Sequence, residues 1–242
     1  MRRLLSLIGI ELSAVSYKEK LVSAFGGMLS ISILVWLARQ AVGTESDILV
    51  IASMGASAVL LFAVPHGQLS QPWPVLAGQG ISATIGVFCA RHLGHDWLAA
   101  GCAVGLSIGV MHQIKCIHPP GGATALTAVM GGDAVRELGF QFVWWPVMIN
   151  ALIMVGIAII FNWPFVWRRY PAGLSKGRHA LKPHPFGREN VHEDIINALR
   201  ALDSFVDVNE ADLLALARTI SREREARIIK EARQLSHHEK TE

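Results

Sequence analysis

Long apolar runs almost free of charge constrain this chain more than any other feature. From Leu21 to Ile114 the acidic and basic residues are Arg39, Glu45, Asp47, Arg91 and Asp96, each at the end of an apolar segment. Runs approaching the ~20 residues that cross roughly 30 Å of hydrocarbon read as membrane-spanning helices. Composition agrees: 52% of the 242 residues are hydrophobic and 17% charged, which argues against a soluble globular domain.

The pattern predicts an all-α, polytopic transmembrane bundle. Full spans are expected at residues 21–38, 73–90, 97–114 and 142–163, the last flanked by Trp144, Trp145 and Trp163 as an aromatic belt would be. Two further segments, 48–64 and 121–130, are rich in Gly, Ala and hydroxyls and read as short or broken helices. They form a weak internal repeat. Gly55-Ala56-Ser57-Ala58 echoes Gly122-Ala123-Thr124-Ala125, and Trp73-Pro74-Val75 echoes Trp145-Pro146-Val147. If the short segments cross, the halves are inverted and there are six crossings; if they dip and return, there are four. The sequence leaves both open.

Charge is concentrated outside the apolar runs. Arg2, Arg3, Lys18 and Lys20 precede the first, and Arg168 and Arg169 follow the last. The positive-inside rule then puts both termini in the cytoplasm of a protein of the cell (inner) membrane. Residues 1–20 read as a cytoplasmic amphipathic segment, 21–171 as the membrane domain, 172–190 as a Pro/Gly/basic linker and 191–242 as a cytoplasmic helical hairpin. In that hairpin Ile195, Ile196, Leu199 and Leu202 share one helical face, and Leu213, Leu216, Ala217 and Ile220 another.

The stretch "IHPPGGATALTAVMGG", residues 117–132, holds the candidate chemistry. Two consecutive prolines cannot sit inside a helix, but they suit its first turn, where a missing N–H has no intrahelical partner. A short helix is therefore expected from about Gly121. Irregular backbone is tolerated at membrane depth where protein buries it or where it lines a cavity, and a helix start presents N–H donors to anions. Gly121, Gly122 and Ala123 are the expected donors, with the Thr124 hydroxyl beside them; Gly55, Ala56 and Ser57 supply the matching set. His118 is read either as a cap on a helix end or as a direct ligand of a permeating ion. His66 and Lys115 are secondary candidates, Lys115 with snorkelling to the headgroups as its plainer role.

Other classes find little support. The three cysteines lack metal-ligand spacing, and no zinc-peptidase, serine-hydrolase or phosphate-loop motif is present, so neither enzyme activity, a metal nor a cofactor is expected. Basic residues of the tail alternate with acidic ones, which disfavours nucleic acid as a partner.

The segment "SMGASAVLLFAVPHGQLSQPWPVLAGQGISATIGVFCARHL", then "WLAAGCAVGLSIGVMHQIKCIHPPGGATALTAVMGG", then a last span ending "RRYP", resembles the HPP family of integral membrane proteins. His118-Pro119-Pro120 matches the motif that names the family, and the resemblance covers residues 21–171. It implies a bundle usually described as four transmembrane helices, with plant and cyanobacterial relatives associated with nitrite transport. Many bacterial relatives add a pair of CBS modules, for which this chain has neither the length nor the strand pattern. The expected function is a transporter or channel for a small monovalent anion, nitrite first, in the lipid bilayer. The alternative is a membrane-embedded scaffold or sensor acting through the helical tail. Self-association into a homo-oligomer is compatible with either.

Overall fold

The computed structural model describes residues 15–42 and 52–175. Residues 1–14 of the expected N-terminal segment, nearly all of the linker and the hairpin at 191–242 lie outside the described residues. Regular structure within them is helical: α1 (Tyr17–Val42), α2 (Ser53–Ala63), α3 (Pro72–Leu93), α4 (Trp97–Gln113), α5 (Pro120–Met130), α6 (Asp133–Leu138) and α7 (Ile149–Asn162). A π-helical stretch, Val143–Met148, leads into α7 and is kinked at Trp145, where Pro146 supplies no N–H to a regular helix.

Among the described residues, three helices are long and apolar enough to cross a membrane: Tyr17–Gln40, Pro72–Leu93 and Val143–Asn162. The expected fourth, α4, has 17 residues, about 25 Å at 1.5 Å per residue. At 11 residues each, α2 and α5 reach about 16 Å, half the hydrocarbon core. Several boundaries differ from the sequence reading, α1 running on to Val42 and α3 to Leu93. The first span starts at Tyr17, so the charged turn Lys18-Glu19-Lys20 belongs to α1; the first short helix starts at Ser53.

The helices alternate in direction between two ends of the bundle. At one end Arg168 bonds Glu19 near the start of α1, the Phe62 carbonyl near the end of α2 and Asn162 at the end of α7. At this end too, Trp73 at the start of α3 donates to the carbonyl of Ile114, just past α4. At the other end His95, between α3 and α4, donates to the Val129 carbonyl in the last turn of α5, and Arg91 lies over the Phe140 ring. So α1, α3 and α5 run one way, and α2, α4 and α7 the other.

Close packing centres on α3 and α5, which run parallel. Gly78, Ser82 and Gly86, at helical i, i+4, i+8 spacing, face Gly121, Ala125 and Ala128. A methyl group on Gly86 would stand 2.6 Å from the Ala125 carbonyl and one on Gly121 2.9 Å from that of Gly78. Without a water-driven hydrophobic force between helices in lipid, this backbone proximity is a main source of association. An apolar core that includes Leu34, Met54, Phe62, Val75, Phe142 and Met154 fills the space among α1, α2, α3 and α7. Thr84 and Thr127 bond carbonyls of their own helices, which satisfies them without a neighbour.

Arg168, expected as an interfacial charge, is buried and fully engaged. Its Nε donates to Asn162 Oδ1 at 3.1 Å, Nη1 to the Glu19 carboxylate and to Ser23 Oγ at 3.0 Å, and Nη2 to the Phe62 carbonyl. Trp167 Nε1 donates to the second Glu19 oxygen at 2.9 Å. The guanidinium thus covers one of the carbonyls that the last turn of α2 leaves without an intrahelical partner. Arg168→Ala strands a buried carboxylate and is expected to cost about 3–5 kcal/mol. The double variant Glu19→Leu/Arg168→Met, which removes both charges, is expected to lose less than the single one, as read by thermal unfolding in detergent.

Candidate functional site

The two short helices are antiparallel neighbours with overlapping first turns. Ser53, which opens α2, meets Thr124 in the second turn of α5; Ser57, one turn further along α2, meets His118 just before α5 begins. Gln79 from α3 stands between these contacts and bonds both Ser57 and Thr124. All five side chains are buried, at 0–1% exposure, so the whole cluster is withdrawn from solvent and lipid.

Proton positions follow from what each atom can do. The Leu69 carbonyl accepts, so His118 Nδ1 carries the proton and donates it across 3.0 Å. No carboxylate among the described residues bonds the imidazole, and it is neutral; its Nε2 is then an acceptor, to which the Ser57 hydroxyl donates at 2.9 Å. Having used its proton, Ser57 accepts from Nε2 of Gln79 at 3.1 Å. That orientation turns Gln79 Oε1 toward Thr124, whose hydroxyl donates to it. Thr124 has one proton, so its 2.7 Å contact with Ser53 is a donation from Ser53. The result is one directed chain from Ser53 through Thr124, Gln79, Ser57 and His118 to the Leu69 backbone.

The acceptor at its end is held by the loop after α2. Ser70 Oγ donates to the Leu60 carbonyl at 3.0 Å, and Tyr170 donates to the Ser70 carbonyl at 2.8 Å. Gln71 bonds the carbonyls of Pro65 and Gly67 at 3.0 and 2.9 Å. His118 is seated with equal closeness: a methyl group on Gly78 would lie 2.7 Å from its Cβ.

The expected residues divide. Ser57, His118 and Thr124 converge on the chain. Gly121 is buried, but as a packing residue against Gly78 and Ser82. Gly122 is half-buried, and Gly55, Ala56 and Ala123 face outward. Gly55 lines an apolar groove of about 320 Å³ between α1 and α2. The expected backbone donors are committed elsewhere: Gly121 N–H bonds the His118 carbonyl at 2.8 Å, Gly122 that of Pro119 at 3.0 Å and Gly55 that of Ala52 at 3.1 Å. Side chains carry the donors here, because tight turns at both helix starts consume the N–H groups. His66 sits apart and donates to the Arg169 carbonyl at 3.1 Å. Lys115 is exposed in the left-handed turn that ends α4.

Ser53 and Gln79 were not among the expected residues. Their signals were present: Ser53 precedes Ser57 by one helical turn, and Gln79 is an uncharged polar residue set between Gly78 and Gly80 within a span. Among the described residues no group of three or more His, Cys, Asp or Glu could hold a metal ion.

A helical bundle with long apolar helices and an interior polar centre is an integral membrane protein. The chain belongs to the HPP family: the family model for the HPP transmembrane region matches residues 12–171. Two transmembrane proteins of Dictyostelium discoideum are similar over 154 residues. One is 36% identical, covering 62% of this chain and 53% of the relative; the other is 38% identical, covering 62% and 48%. The chain thus spans about half the length of these relatives. No solved structure matches it.

A directed chain makes its members unequal. Thr124→Val leaves Gln79 Oε1 buried without a donor and is expected to cost about 1–3 kcal/mol, whereas Ser53→Ala removes only the first donor and is expected to cost less. Chemical unfolding of both variants in detergent checks the order.

Proposed function

We propose that this protein moves a small monovalent anion, nitrite first among candidates, across the cell (inner) membrane. The observation that carries this reading is the juxtaposition of two half-length helices, antiparallel and overlapping at their first turns, around buried hydroxyl and amide donors. Interrupted helices at matching places in two halves are the form in which transporters build a site near the bilayer midplane. An anion entering the cluster would take the Ser57 and Thr124 hydroxyls in place of their present acceptors, and the second N–H of the Gln79 amide. Neutral donors hold an ion weakly enough to release it.

The alternating helix directions support six crossings with inverted halves, the segment containing α2 crossing back toward the end where α1 starts. Lys18, Lys20, Lys115, Arg168 and Arg169 stand at that end, against Arg39, Arg91 and Arg136 at the other. This asymmetry favours a cytoplasmic location for both termini. The outward small residues Gly55, Ala56 and Ala123 meet lipid or a second copy in a homo-oligomer.

Two experiments test these statements. In a background without native cysteines, Gln68→Cys and Asp133→Cys are expected to react with an impermeant thiol reagent from opposite sides of the membrane; labelling from one side refutes six crossings. Purified protein in vesicles is expected to carry nitrite above the empty-vesicle rate, with Ser57→Ala slowing it at least tenfold. Absence of flux for nitrite, nitrate, formate and chloride alike sinks the transport reading.

A further inference from the structure

The polar centre contains no resident charge, although its proposed cargo is charged. None of the residues in the chain from Ser53 to Leu69 bonds an Asp, Glu, Lys or Arg side chain. Titratable groups on the elements around His118 are few. α2, α5 and the Gln68–Ser70 turn have none, and those of α3, Cys89, Arg91 and His92, lie toward its far end. Before His118 itself, His112 and Lys115 are exposed and Cys116 is a buried thiol; His66 is turned to the Arg169 carbonyl.

An anion entering such a centre alone would be an unpaired charge in a low-dielectric interior, and so would an imidazolium formed alone. Together they are neutral. The hydrogen bonds reinforce this pairing. A neutral His118 accepts the Ser57 proton at Nε2, which ties up that hydroxyl. A protonated His118 donates from both ring nitrogens, to Leu69 and to Ser57 Oγ. Ser57 then accepts from both His118 and Gln79, and its own O–H is released to point at a ligand. One proton therefore creates a counter-charge and a free donor at the same place.

We infer that the protein co-transports a proton with each anion, the proton on Nε2 of His118 and the anion on the Ser57 hydroxyl beside it. This rests on the anion-transport reading above. The proton comes from water on one side and returns to water on the other, the anion crosses unchanged, and nothing is oxidised or reduced. By linkage, anion binding favours protonation by the factor with which protonation favours anion binding.

The test uses the full chain in vesicles containing a pH-sensitive dye and a membrane-potential dye, with nitrite added outside and the rate in protein-free vesicles subtracted. Wild-type protein is expected to take up one proton per nitrite without polarising the membrane, and to move nitrite faster as the outside pH is lowered. His118→Gln keeps a polar side chain without the proton site; its nitrite-driven proton uptake is expected to fall at least tenfold and its nitrite flux to lose the pH dependence. The wild-type stoichiometry decides the matter even if that variant does not fold. Nitrite flux that polarises the membrane with no proton uptake overturns proton coupling and leaves anion transport standing. No nitrite flux above protein-free vesicles overturns both.

Discussion

A polar group left unpaired inside hydrocarbon costs several kcal/mol, and the arrangement of this protein follows from avoiding that cost. Helices satisfy most of the backbone internally. What remains are the ends of two helices that stop halfway, which long spans do not present at that depth. A turn closed by the Ala52 carbonyl covers the start of one, and turns closed by the His118 and Pro119 carbonyls cover the start of the other. The interrupted helices are tolerated because tight local turns close their starts and buried side chains of neighbouring helices satisfy the polar groups beside them.

The two polar centres solve the problem differently. At Glu19 and Arg168 full charges are paired and each guanidinium nitrogen of Arg168 finds an acceptor, which joins three helices and the segment after α7. Around Gln79 the groups are neutral and arranged in a line. A neutral line is inexpensive to bury, and each of its hydroxyls has one proton to commit, so a change at one member passes to the next.

The spans were legible in the sequence because apolar runs need no partner to be recognised. Pro119-Pro120 announced the start of α5 for the same local reason. Legibility failed where partners matter. Arg168 looks like a flanking charge until Glu19, 149 residues earlier, is placed against it. Gly121 and Gly122 read as open donors, yet a glycine that permits approach of an ion also permits approach of another helix, and packing against Gly78 is what Gly121 does. Gln79 carried a signal too weak to single out, since one polar residue in a span says nothing about what it faces.

The echo between Gly55-Ala56-Ser57 and Gly122-Ala123-Thr124 breaks at one telling place. Counted along the same offset, His118 corresponds to Ile51, and Pro119-Pro120 to Ala52-Ser53. The Gly/Ala/hydroxyl segments that echo one another in sequence therefore meet at a centre with an imidazole before one segment and no counterpart before the other. Its hydrogen bonds run from a hydroxyl to a carbonyl and cannot be reversed while Leu69 remains the final acceptor. The two short helices echo one another in sequence, but the chemistry between them has a head and a tail.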